Sequence, residues 1–195
     1  MSFIKSLFFG SEGDYHFCGF DVSFKKGDPP DIVPSSLFCK GRVWNVLNQR
    51  YLYALVHEMG HAIAMRFFDC PSRVKIYQDH AYGNTGPLYY YSCSSKVETI
   101  ITVAGPMLSM AFAGSVLATS LAIRSYIPTP ISLWCSLSAA VAMIEELHEN
   151  ILSAYSKNDG DFGSLAQKSV KHLAIASIGQ IALLAFSMFA AYRAV

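Results

Sequence analysis

The chain has 195 residues, a formal net charge of +1 at neutral pH and a mean hydropathy of +0.31. Hydrophobic residues make up 52% and charged residues 15%, against about 25% charged in an average soluble domain. That balance excludes a disordered chain and a coiled coil, and the absence of a basic surplus excludes a nucleic-acid binder. So few charges hardly cover a soluble globule, and the length allows one domain or one compact membrane bundle.

Residues 1–41 read as a polar N-terminal segment. Eleven of the 29 charged side chains fall in residues 1–50, together with Gly27-Asp28-Pro29-Pro30 and Pro34. Alternation in Phe20-Asp21-Val22-Ser23-Phe24 predicts a short strand. No cleaved signal peptide is read in the first fifteen residues, which lack a long apolar run. The five cysteines are odd in number and none is spaced Cys-x-x-Cys. They read as small buried hydrophobes rather than a disulfide framework.

Residues 42–195 read as one membrane-embedded domain. A first helix is expected over 42–68, apolar at its centre except for His57, Glu58 and His61. A β-hairpin is expected over 73–92. Val74-Lys75-Ile76-Tyr77 supplies one strand, Gly83-Asn84-Thr85-Gly86 the turn, and Leu88-Tyr89-Tyr90-Tyr91 the aromatic second strand. Residues 99–123, 125–144 and 173–192 carry no charge. Each is about the length a bilayer core requires of a helix. Helices are therefore expected over 97–124, 131–152 and 162–192. The fold expected is an all-α, multi-pass membrane bundle of about four spans, with the hairpin and the polar N-terminal segment attached. Lysines and arginines divide almost evenly between the two sides of such a bundle, so no orientation follows.

His57-Glu58-Met59-Gly60-His61 carries the chemistry. Residues i and i+4 lie about 40° apart around a helix, so both imidazoles can reach one metal ion. Glu58 beside them has the reach to serve as general base towards a water at that metal. This is the H-E-x-x-H arrangement of zinc peptidases. Ionisable groups inside an apolar helix are costly unless they form a site. A catalytic zinc commonly takes three protein ligands and keeps one position open. Glu98, Glu145, Glu146, His148, Glu149, Asp159 and Asp161 are the candidates for the third. Glu145, Glu146 and Glu149 also read as an ordinary polar helix end, and Asp159 or Asp161 as a helix cap.

An H-E-x-G-H helix, a hairpin, Ala104-Gly105-Pro106 in the next helix, then Asn150 followed by Asp159-Gly160, together resemble the site-2 protease family of intramembrane zinc metallopeptidases. The resemblance covers roughly residues 42–175. It implies one Zn2+ per chain held by His57, His61 and Asp159, with Asp161 as the alternative third ligand. Glu58 is then the catalytic acid–base, and Asn150 contacts substrate. The partners implied are the lipid bilayer and a membrane-protein substrate, cleaved in or near a transmembrane segment. An edge of the hairpin could hold the unwound substrate by strand addition. Ser153 stands where the family usually has proline. Ser109 stands where it often has asparagine, and Asn158 is an added residue before Asp159. Two other readings differ in class. One is a non-proteolytic membrane metal-binding or transport protein. The other is a soluble gluzincin-like peptidase with Glu98 or Glu149 as third ligand.

Overall fold

The computed structural model describes residues 3–9, 11–17, 19–26, 49–77, 82–87, 94–156 and 160–194. Its elements are α1 (Phe3–Phe9), β1 (Gly13–Phe17), β2 (Phe20–Lys25), α2 (Arg50–Phe67), β3 (Ser72–Tyr77), β4 (Tyr82–Pro87), α3 (Ser95–Ala122), α4 (Thr129–Ser156), α5 (Asp161–Lys168) and α6 (Val170–Ala194). The chain forms two compact units, Met1–Gly105 and Pro106–Val195, dividing inside α3.

The first unit is built on a four-stranded sheet of order β1-β2-β3-β4. β1 and β2 are antiparallel, as are β3 and β4, and β2 runs parallel to β3 with Val22 opposite Val74. The strand expected around Phe20–Phe24 is β2, and the polar N-terminal segment supplies two of the four described strands, joined to the hairpin in one sheet. Alternation fixes which face is covered. In β3, Ser72, Val74 and Ile76 are buried while Arg73 and Lys75 are exposed. Val22, Phe24, Val74 and Ile76 join Tyr51, Leu55 and Ala62 of α2 in one apolar core. Phe3 of α1 closes it edge-on against Tyr15 and Phe24, at 5.3 and 6.0 Å between ring centres. The Ser6 and Tyr15 hydroxyls bond at 2.7 Å.

The second strand of the hairpin departs from expectation. β4 is Tyr82–Pro87, so Gly83-Asn84-Thr85-Gly86 is strand rather than turn, and Tyr77 pairs with Tyr82. An outer strand with one neighbour tolerates such residues where a central strand would not. Leu88–Tyr91, expected as the second strand, lie outside the described residues.

α2 ends on a Schellman motif. The amides of Asp69 and Cys70 donate to the carbonyls of Arg66 and Met65, with Asp69 in the left-handed region at φ 56°. Arg66 then reaches the β1–β2 turn, donating to the Gly19 carbonyl at 3.2 Å and lying 5.2 Å over the Phe20 ring. Gly19 has φ +82°, a conformation that only glycine adopts without strain.

The second unit is helical. Beside a core that includes Met110, Met143, Phe162 and Leu165, it buries many small polar side chains and exposes many large apolar ones. Ser109, Ser120, Ser132, Ser136, Ser138, Ser187 and Gln180 are buried, whereas Ile131, Leu133, Trp134, Leu137, Ile178, Phe186 and Phe189 are exposed. The buried serines link helices. Ser132 donates to the Ser120 carbonyl at 2.8 Å, and the Ser120 and Ser136 hydroxyls bond at 2.7 Å. Small residues bring α3 and α6 together: a Cβ on Gly114 would strike Ser187, and one on Gly179 would lie 2.9 Å from the Met107 methyl.

Among the described residues, three helices, α3, α4 and α6, are long and apolar enough to cross a membrane. α2 is not among them, since it carries Arg50, Glu58 and Arg66 within its 18 residues. The single helix expected over 162–192 is two. Ser169 between them is extended, at φ −165° and ψ 116°, which separates the short amphipathic α5 from the apolar α6. Cys70 is buried and Cys135 half-buried.

Candidate metal centre

His57, Glu58 and His61 sit mid-way along α2, on the helix that packs over β3 and β4. Glu58 and His61 are 6% and 8% exposed, so both polar groups must find partners. They do so within the first unit. The Nδ1 of His61 donates to the carbonyl oxygen of Ile101 on α3 at 2.7 Å. That bond places the proton on Nδ1 and leaves the Nε2 lone pair available. A metal-ligating histidine is commonly oriented in this way. Nε2 of His61 and Nε2 of His57 stand 3.1 Å apart, with ring centres at 4.9 Å and planes at 70°. Two nitrogens on one zinc at 2.0–2.1 Å with tetrahedral angles stand roughly 3.3 Å apart. The pair therefore fits a divalent metal. Without one, the rings are joined by a hydrogen bond donated from Nε2 of His57.

Glu58 is held from the sheet. The Thr85 hydroxyl lies 2.7 Å from Oε2 of Glu58 and 3.0 Å from its main-chain carbonyl oxygen. Thr85 belongs to the outer strand β4 and pairs with Val74.

Two glycines make the close approach possible. A Cβ on Gly60 would strike the Ala104 carbonyl and lie 2.8 Å from the Gly105 Cα. A Cβ on Gly105 would fall on the His61 imidazole, 2.8 Å from Cδ2. The Ala104-Gly105 backbone is therefore a wall of the site. It supports His61 by leaving room for its ring, while Ile101 one turn earlier supplies the carbonyl.

Asn150, Ser109, Ser153 and Asp161 lie in the second unit. Asn150, 5% exposed on α4, donates from Nδ2 to Oε1 of Glu146 at 2.9 Å. Ser109 of α3 donates to Oε2 of the same carboxyl at 2.6 Å. Ser153 accepts from the Gly163 amide at 2.8 Å and so fastens the start of α5 to α4. Ser109 and Ser153, two of the positions at which the sequence departs from the pattern it resembles, are thus both engaged in polar contacts. Asp161 opens α5 and is half-buried. Asp159, the expected third ligand, lies outside the described residues. Among the described residues, His57, His61 and Asp161 each offer a ligand atom of a type that suits a metal ion. Glu98 is exposed in the first turn of α3.

Thr85, Ile101, the pairing of Glu146 with Asn150 and Ser109, and the steric role of Gly105 were not anticipated from the sequence. A cavity of about 530 Å³ lies instead on the outer face of the sheet, among Asp14, His16, Asp21, Lys25 and Arg73. It is lined by none of the residues around His57 and His61. No family model, curated protein or solved structure matches the chain.

Proposed function

We propose that this chain is a membrane-embedded zinc endopeptidase that hydrolyses a peptide bond in or near a transmembrane segment of a substrate protein. The observation that carries the reading is the α2 constellation. Two ring nitrogens stand at ligand separation, one is oriented by a main-chain carbonyl, and a buried carboxyl follows the first histidine. The resemblance to the site-2 protease family supports the same assignment. The exposed large apolar side chains and buried serines of the second unit, and the three apolar helices among the described residues, support a place in the bilayer.

On this reading His57 and His61 hold the metal, and an aspartate of the Asp159–Asp161 segment completes the set. Asp161 and Asp159 are the rivals for that place. A zinc ion held there would polarise the scissile carbonyl and make a water acidic enough to lose its proton near neutral pH. Glu58 takes the proton of the attacking water and returns it to the leaving amine. Asn150, its amide steadied by Glu146, offers a polar contact to the substrate main chain.

Glu58→Gln separates a hydrolase from a mere metal binder. The detergent-purified or reconstituted variant keeps its zinc and loses cleavage of transmembrane-helix peptides co-reconstituted in vesicles. Cleavage that survives Glu58→Gln overturns the mechanism.

A further inference from the structure

We propose that Thr85 is a positioning residue for Glu58, its hydroxyl fixing the plane of that carboxyl from the sheet. The inference rests on the reading of Glu58 as acid–base. Its origin is the pair of oxygens facing one hydroxyl: Oε2 of Glu58 at 2.7 Å and the main-chain oxygen of Glu58 at 3.0 Å.

A threonine hydroxyl has one proton to donate and two lone pairs to accept with. It cannot donate to both oxygens fully at once. The shorter contact, to Oε2, fixes the plane of the carboxyl, and the longer one ties the same hydroxyl to the backbone of that residue. Glu58 is 6% exposed, so this partner also meets part of the carboxyl's need for hydrogen bonds. An acid–base group must be held within reach of its proton in one orientation, and Thr85 supplies that orientation.

The backbone placing Thr85 is that of β4, the outer strand among the described residues, which pairs with β3. The group that orients Glu58 is thus carried on a strand, not on the helix that carries the ligands. A shift of β4 is transmitted to Glu58 through one hydrogen bond.

The test uses the full chain in detergent, loaded with cobalt(II) in place of zinc. The variants are Thr85→Val, Thr85→Ala, Thr85→Ser, Glu58→Gln and the Thr85→Val/Glu58→Gln double. Cobalt's visible absorption band reports the hydrogen bonding around its open position, independently of turnover. We expect Thr85→Ser to match wild type. Thr85→Val and Thr85→Ala should shift the band in the direction of Glu58→Gln, and the double variant should shift it no further than Glu58→Gln alone. With transmembrane-helix peptides in vesicles, Thr85→Val should lose about 10- to 100-fold in kcat, part of the range for a positioned acid–base group. KM should stay within about twofold, because uniform binding is untouched. A band unmoved in Thr85→Val, a Thr85→Ser variant that shifts as far as Thr85→Val, or disagreement between Thr85→Val and Thr85→Ala overturns the inference. Glu58→Gln distinguishes the two levels. If it still cleaves, or no sample binds cobalt, the proposed function fails and this inference with it. If only the Thr85 variants behave as wild type, the proposed function stands and the inference alone falls.

Discussion

Gly105→Ala sets two effects against each other. Alanine is the better helix former by about 1 kcal/mol, so propensity alone favours the change in α3. The added Cβ, however, would lie 2.8 Å from Cδ2 of His61, where carbon–carbon contacts relax to roughly 3.5–4.0 Å. The ring must retreat by about 1 Å. Overpacking of this kind costs about 1–3 kcal/mol, so the net change in stability is between about zero and 2 kcal/mol. The effect on the site is larger. Retreat lengthens the 2.7 Å bond to the Ile101 carbonyl and moves Nε2 away from its 3.1 Å separation from His57. Losing an orienting partner of a metal-bound histidine typically costs 10–100-fold in affinity. The expected result is zinc affinity weakened at least ~10-fold, measured by competition with a chromophoric chelator, alongside a small change in metal-free thermal midpoint. A Gly105→Ala protein that binds zinc like wild type would refute the claim that this backbone walls the site.

The other predictions concern the two units separately. Ile76→Ala, which empties a fully buried position in the sheet core, should destabilise the first unit by about 2–5 kcal/mol, read by chemical denaturation. Ser120→Ala removes the hydroxyl that meets Ser136 between α3 and α4. It should cost about 0.6 kcal/mol, and no more than about 1.7, in a reversible detergent unfolding assay. Asp14 is exposed on β1, and its carboxyl is held below the usual aspartate value by the Ser23 hydroxyl first and by Lys25 next. A depressed folded-state value contributes stability above the unfolded-state value, lost as pH falls through the folded one. Asp14→Asn should therefore leave stability near pH 7 slightly lower and flatten its decline only below about pH 4. An unchanged acid limb in thermal melts would contradict that assignment.

How much was legible depended on whether the signal was local. His57, Glu58 and His61 were readable because a spacing of four on a helix fixes their common face. The three long apolar helices were readable from charge-free stretches alone. The four-stranded sheet was not, because the β2–β3 ladder joins residues 20–25 to residues 72–77 in parallel, and neither segment announces the other. β4 was misplaced because Gly83-Asn84-Thr85-Gly86 carries turn chemistry. Only its position as an outer strand accounts for its extension. That misplacement also hid Thr85, which a turn would not have aimed at Glu58. Gly105 read as a packing residue, and it is one, but the object it packs is a histidine ring.

The most direct test of the account is the metal content of the purified chain. Elemental analysis of the wild-type protein in detergent should find about one zinc per chain, as a single site of this type holds, and His57→Ala and His61→Ala should each lose most of it. No zinc in the wild type after reconstitution, or equal zinc in the histidine variants, would contradict the α2 site.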